Sequence, residues 1–354
     1  MRRKFLLFTN KVLVVLSLLC YLSTLVSPET FWVAGFFSYL IPPLFILHAI
    51  CLYLWYRWDK INMLYSIAAM VIGYKFILST VALNFDIGGE YDFTVLTYNT
   101  RIFNAYDHLN EQNQSSKKII DWVKNDESDI KCIQEFYNKS DSKIFNTTSK
   151  LQQNGAYYSY TQPRLINKGQ EFGLAIFSKF PIVNKGRIEF KEKSKNDAIY
   201  ADVLIQKDTV RVINVHLESM SIAENIFEER LDFKTNVKNL TKKLRIGFVA
   251  RAQQLAAVEK YITNCRHRVI LCGDLNDPPY SYTYLKLQSM LESGFEQAAN
   301  GFGFSYNGNL FFLRIDNQFH SEGLKPTNYF TLREVTYSDH FPVKAHYKFQ
   351  SLEQ

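Results

Sequence analysis

Five residues, Gly273-Asp274-Leu275-Asn276-Asp277, follow the apolar run Arg268-Val269-Ile270-Leu271-Cys272. The run reads as a buried strand. The turn therefore sets a carboxylate and a carboxamide just past a strand's carboxyl end, where open α/β sheets keep their chemistry. Side chains alternate with period two in an extended segment, so Asp274 and Asn276 can point the same way. Alone, a Gly-Asp-x-Asn stretch serves as readily for an Asx turn. Here it has company: Asn99, Glu135, His216, Asp316, Asp339 and His340 also fall at or just past the ends of strand-like segments. Acid, amide and imidazole groups suit a hard divalent cation and a phosphoryl oxygen. Carboxylates crowded together repel one another without a cation, so the cluster implies a metal. The chain has no His-x-x-x-His or paired-cysteine motif for structural zinc. It also lacks a Gly-x-x-x-x-Gly-Lys loop for a nucleoside triphosphate and a Gly-x-Ser-x-Gly elbow for acyl transfer.

These residues need a scaffold, and the sequence outlines one. Residues 91–99 read as a strand ending at Asn99, and 129–134 as a buried strand ending at Glu135. Segments 157–162 and 173–178 read as adjacent strands, with Lys179-Phe180-Pro181 as a turn. Residues 199–205 and 210–215 form a hairpin pattern around Lys207-Asp208 that ends at His216. Helical spacing runs through Ile119, Ile120 and Val123 within 115–125, and through Leu255, Val258 and Ile262 within 250–263. Strands at 317–320 and 343–349 close the chain. Strands mixed with few helices predict an α/β or α+β sandwich. Residues 221–248 interrupt the rhythm and read as a helical insertion, either packed on the core or acting as a lid or membrane contact.

Seven blocks together resemble the endonuclease/exonuclease/phosphatase superfamily, which has the fold of pancreatic deoxyribonuclease. They are Thr97-Tyr98-Asn99, Ile133-Gln134-Glu135, Gly173-Leu174-Ala175-Ile176-Phe177-Ser178, Asn214-Val215-His216-Leu217, Gly273-Asp274-Leu275-Asn276, Arg314-Ile315-Asp316 and Ser338-Asp339-His340. They keep the family's order across residues 91–348. The resemblance implies a four-layer α/β sandwich, two packed mixed β-sheets flanked by helices, and metal-dependent hydrolysis of phosphate esters. On its terms Glu135 ligates Mg2+ (or Mn2+ in its place) with Asn99 beside it, and Asp339 contributes to metal or water binding. Asp274 orients or deprotonates water, Asn276 holds the phosphate or that water, and His216 binds a phosphoryl oxygen. His340 contacts the phosphate or moves a proton, with Asp316 hydrogen-bonded behind it. The general base stays open between the aspartate and histidine positions. Arg101, Tyr158 and Arg251 are weaker candidates for substrate contact, as are Tyr157 and Arg164. Many relatives carry an aromatic residue after the block at Asp316, where this chain has Asn317-Gln318.

The first 85 residues are different. Three apolar runs, 5–26, 31–56 and 61–83, are each long enough at helical rise to cross a bilayer. The first, behind Arg2-Arg3-Lys4, could alone be a signal peptide. Two further runs predict a membrane anchor of three transmembrane helices over 1–85, with a catalytic domain over 86–354; a soluble hairpin would need polar faces that these runs lack. The short link 27–30 has no Lys or Arg, whereas Arg57 and Lys60 lie between the second and third runs. Positive residues favour the cytoplasmic side, so the catalytic domain is expected outside it, periplasmic or at the cell surface. Of the net charge of +7, the first 85 residues carry seven Lys/Arg against two Asp/Glu, leaving 34 against 32 for the rest. The basicity is thus not a nucleic-acid footprint. Cys132 and Cys272 sit in apolar strand patterns and read as buried free thiols.

The predicted function is a membrane-tethered, magnesium-dependent phosphodiesterase of nuclease type. The alternatives are a hydrolase of phospholipid or phosphoinositide-like headgroups and a catalytically silent receptor or scaffold on the same fold. The partners implied are a phosphodiester substrate, nucleic acid or lipid headgroup, and the bilayer; no protein partner is implied.

Overall fold

Strand segments that are apolar on both faces demand cover on both faces, and the computed structural model of the chain provides it. It describes residues 1–85, 88–108, 114–167, 169–190, 196–219 and 233–350. The strands are β1 (Ala82–Leu83), β2 (Phe93–Asn99), β3 (Ile130–Lys139), β4 (Tyr158–Asn167), β5 (Gln170–Ser178), β6 (Ile182–Ile188), β7 (Asp197–Ile205), β8 (Asp208–His216), β9 (Arg268–Asp274), β10 (Glu292–Ser293), β11 (Asn300–Gly301), β12 (Asp316–His320), β13 (Leu324–Thr331) and β14 (Val343–Phe349). One sheet has the order β13-β14-β2-β3-β5-β4, the other β10-β12-β9-β8-β7-β6. Each holds one parallel pair, β2 with β3 and β8 with β9, among antiparallel neighbours.

The helices are α1 (Arg2–Ser23), α2 (Ala34–Ser38), α3 (Ile41–Trp58), α4 (Met63–Ile72), α5 (Tyr74–Thr80), α6 (Ala105–His108), α7 (Ser115–Asn125), α8 (Thr147–Gln152), α9 (Phe233–Thr263), α10 (Tyr282–Gln288) and α11 (Gly294–Ala298). Val95, Cys132 and Ile176 of the first sheet meet Ile199, Val212 and Cys272 of the second in the inter-sheet core. On the outside, Ile119, Ile120 and Val123 of α7 cover Ile133 and Phe177. Leu255 and Val258 of α9 and Tyr284 of α10 cover Ile213, Leu271 and Phe319. The result is the expected four-layer sandwich. Each fully buried Val, Leu or Ile contributes about 1.5–3 kcal/mol, so this shared apolar core holds the two sheets face to face.

Buried amides stitch the sheets together. Gln134 on β3 donates to Asn214 Oδ1 on β8 at 2.6 Å, and Asn214 Nδ2 donates to the carbonyls of Ile133 and Ala175 at 3.1 and 3.0 Å. Gln318 on β12 donates to the carbonyls of Val95 and Val343, both at 3.1 Å. Gln318 is one of the polar residues standing where an aromatic was expected, and it spans the gap with hydrogen bonds instead of ring packing.

The expected turn at Lys179-Phe180-Pro181 leads from β5 across to β6 in the other sheet. Two other expectations need correction. The insertion expected over 221–248 is not separate from the helix after it: α9 is continuous from Phe233, while 220–232 lie outside the described residues. Three continuous spanning helices do not form. By length and apolarity α1 qualifies alone, with 22 residues; the second run divides into α2 and α3, and the third bends by 60° at Gly73 between α4 and α5.

The helical module nonetheless has a defined arrangement. Tyr21 stacks on Phe45 and Phe76, Ser17 bonds His48 at 2.9 Å, and Ser66 bonds Asn10 at 2.9 Å. Partners on α3 recede as α1 advances, whereas those on α4 and α5 advance with it. Hence α1 runs antiparallel to α3 and parallel to α4–α5. Arg2, Arg3, Lys4, Arg57 and Lys60 gather at one end; Tyr21, Pro42 and Thr80 share the other, which meets the sandwich. There β1 pairs with β11, Phe36 packs edge-on to Phe248 of α9 at 5.2 Å, and Tyr39 meets Tyr280 at 6.3 Å. Outward-facing side chains of the module, among them Phe5, Val15, Leu22, Ile46, Ile50, Leu64 and Val71, are exposed and apolar.

Candidate active site

The site is the open end of the inter-sheet core. Phe93 and Val95 face the second sheet, so Thr97 and Asn99 do too; Ile270 and Cys272 face the first, so Asp274 follows them. Val210 and Val212 likewise lead to Asn214 and His216. At the carboxyl ends of the two parallel pairs the inward row changes from apolar to polar. Register then aligns it: His216 on β8 sits opposite Asp274 on β9, and Asp316 on β12 opposite Asp274 on its other side.

Two backbone features aim the groups. A bulge between Ile133 and Phe136 gives Glu135 a φ of 49° and turns its side chain into the cleft. Gly273 has a φ of 141°, and a Cβ there would lie 2.0 Å from the Val215 carbonyl oxygen, so only glycine lets β9 pass so close to β8.

Asp274 is the hub. Its Oδ2 accepts from Asn99 Nδ2 at 3.0 Å, and its Oδ1 from the backbone N–H of Asn276 at 2.8 Å. His216 Nε2 stands 3.6 Å and His340 Nε2 3.8 Å from Oδ2. Behind, Asp316 Oδ2 bonds His340 Nδ1 at 2.8 Å. Burial alone would lower the His340 pKa, but the carboxylates of Asp316 and Asp274 overcome it and lift it to about 10. Burial and the charge of Asp274 also raise Asp316. Both directions say that the dyad keeps a proton. Asn276, at a φ of 51°, donates to the Leu217 carbonyl at 2.9 Å. The cleft of about 170 Å³ is lined by Asn99, Glu135, His216, Asp274, Asn276, Asp339 and His340, together with Ser219, Tyr306, Leu310, Leu313 and Ile315. Tyr306 packs edge-on to His340 at 5.4 Å. Of the apolar and aromatic members Ile315 lies within one of the seven blocks, whereas Tyr306, Leu310 and Leu313 carried no sequence signal, because they belong to an irregular stretch with no periodicity.

Other candidates lie elsewhere. Arg251 is fully buried behind the cleft, bonding Asp277 at 3.1 Å and the Glu218 carbonyl at 2.9 Å, so it braces the 273–277 turn instead of facing a substrate. Tyr158 begins β4 opposite Ser178, which pairs with Ile130 at the start of β3, at the far end of the sheet from the cleft. Tyr157 is buried there, its hydroxyl on the Ser128 carbonyl, and the Arg164 side chain lies outside the described residues. Arg101 is half-exposed at the cleft edge, 3.9 Å from Asp339. Arg314 does not pair with Asp316; it turns to Asn317 and to the Ser79 carbonyl at the end of α5.

Among the described residues no Lys or Arg lines the cleft, whereas Glu135, Asp274 and Asp339 do. No donor among the described residues reaches the Glu135 carboxylate. A cleft so acidic, with an unpartnered carboxylate aimed into it, fits a divalent cation. Asp274, Asp316 and His340 also present ligand atoms within 4.8 Å of one another and could hold one. His340 Nδ1 is engaged by Asp316, whereas the Glu135 carboxylate has no partner among the described residues.

The model of the Endonuclease/Exonuclease/phosphatase family matches residues 96–340. The chain belongs to this family. Its chemistry is phosphoester hydrolysis, typically with a divalent metal. Residues 3–80 match a separate domain of unknown function, DUF8431. No curated protein matches the sequence. Similar solved structures include an endonuclease/exonuclease/phosphatase from Beutenbergia cavernae (16% identity, 74% of this chain and 72% of that one, TM-score 0.54). The catalytic domain of human Nocturnin with bound sulfate is 17% identical (73% and 94%, TM-score 0.53). A mannosyl-6-phosphatase from Bacteroides thetaiotaomicron is 20% identical (73% and 100%, TM-score 0.51). Likeness at this level shows the shared fold.

Proposed function

We propose that the chain is a divalent-metal-dependent phosphodiesterase held at a membrane by its helical module, with its catalytic domain outside the cytoplasm. The observation that carries the activity is the meeting of Asp274 with Asn99, His216 and the protonated Asp316–His340 pair, beside an unpaired Glu135. Glu135 and Asn99, with Asp339 near, would hold Mg2+ or Mn2+, which when bound neutralises phosphoryl oxygens. His216 and Asn276 supply donors to the remaining oxygens. Asp274, an acceptor at the centre, orients the water. His340 can deliver a proton to the departing oxygen, and Asp316 keeps it charged for that task.

The decisive measurement is turnover of bis(p-nitrophenyl) phosphate by the full chain in detergent, with each common divalent metal. Chelation should abolish it, and Asp274→Ala, Glu135→Ala or His340→Ala should each lower kcat/KM by about 10²–10⁴. Inactivity with every metal would favour a silent receptor or scaffold on this fold. Among natural substrates, a lining whose described residues include no Lys or Arg gives a nucleic-acid backbone little to hold. Phosphoesters of smaller or lipid-like molecules suit the cleft better.

The membrane reading rests on α1, on the apolar side chains that the module turns outward, and on the cations gathered at its far end. Soluble surfaces seldom leave so large an apolar area uncovered.

A further inference from the structure

A second cavity, about 190 Å³, opens between the helical module and the sandwich. Pro42 at the start of α3 and Thr80 at the end of α5 form one wall; Tyr280, Phe302, Phe304 and Phe312 form the other. Only Thr80, Tyr280 and Arg314 among its lining residues carry polar side chains. The Arg314 head is turned away, bonded to Asn317 and the Ser79 carbonyl and stacked 3.8 Å over Phe295. Leu313 lines both this cavity and the catalytic cleft, so the two adjoin. Around them Phe302, Leu310, Phe311 and Phe312 are 51%, 42%, 59% and 51% exposed. An apolar path thus begins at the module end that meets the sandwich, level with the surface of a bilayer crossed by α1, and ends beside Asp274 and His340.

We propose that this groove takes the hydrocarbon chain of a bilayer lipid whose phosphoester lies in the acidic cleft. The inference deepens the hydrolase reading and rests on it. A lipid drawn along the groove keeps its chain out of water throughout, so the groove removes the cost of exposing methylenes that an isolated cleft would impose. Exposed aromatics also stack nucleic-acid bases, but such sites pair them with a cationic track, and among the described residues no Lys or Arg lines the cleft.

The test uses the full chain in nanodiscs and alkyl p-nitrophenyl phosphates from methyl to decyl, below their micellar concentrations. Each of the first few methylenes should lower KM about threefold. In Phe302→Ser/Phe312→Ser the decyl-to-methyl ratio of kcat/KM should fall at least about tenfold. A flat series in the parent, an undiminished ratio in the variant, or preference for a dinucleotide over the decyl ester would each overturn the proposal. Alkylphosphonates, followed by thermal shift, separate it from the hydrolase reading. If no ester turns over but phosphonate binding still strengthens with chain length, the groove stands and the hydrolase falls. If the esters turn over but chain length is without effect, the reverse holds.

Discussion

At the scale of single residues, the cleft is governed by how Asp274 and the Asp316–His340 pair share charge. A histidine in the unfolded chain titrates near 6.5, whereas His340 folded is lifted to about 10. Its contribution to stability is therefore complete below about pH 6.5 and is lost as pH rises through about 10. Melting temperatures of chelated protein should fall across that window, and His340→Gln should flatten the fall; parallel curves for parent and variant would refute the assignment. Asp316→Asn removes the partner that holds the proton, so kcat should drop about hundredfold and the basic limb of the pH–rate profile should move to lower pH. The site's polar members were legible in the sequence because each ends an apolar strand pattern, a position with physical meaning. Arg251 misled for an equally physical reason: a buried arginine bracing a turn and an exposed one awaiting an anion look the same in a string of letters. Tyr306, Leu310 and Leu313 were invisible, since their place in the cleft depends on a loop's path.

At the scale of elements, alternation made the central strands readable and failed at the edges. Strands β6 and β13 were missed, and both are edge strands. The first carries exposed Asn184 and Lys185, the second Pro326 beside a register shift. Such features protect a sheet edge from unwanted pairing, and they erase the very pattern by which strands are recognised. Central elements should be correspondingly intolerant. Asn214 bridges both sheets through three hydrogen bonds. Asn214→Leu would strand their partners and should cost about 3 kcal/mol in denaturant titrations; a loss below about 1 kcal/mol would show the bridge to be incidental. In the helical module hydropathy revealed the runs but not their shape, because apolarity does not record a bend at Gly73 or a break before Pro42.

At the scale of the whole molecule, the proposed sidedness of the catalytic domain rests on α1 and the cations of the module. A phosphatase reporter fused after Gln354 should be active and a fluorescent protein that matures only in the cytoplasm should be dark; the opposite pair would place the sandwich inside. The module and the sandwich are also physically continuous. Arg314, two residues before Asp316, is buried with its guanidinium on the Ser79 carbonyl. Arg314→Met should destabilise the full chain by about 2–4 kcal/mol, read as a lowered melting temperature in detergent. A recombinant fragment starting after the helices would leave that arginine without its acceptor and bare the rings of Phe248 and Tyr280. Crystallographers and enzymologists who trim the chain for convenience would then be handling a wounded object, whose silence in an assay would say nothing about the native enzyme.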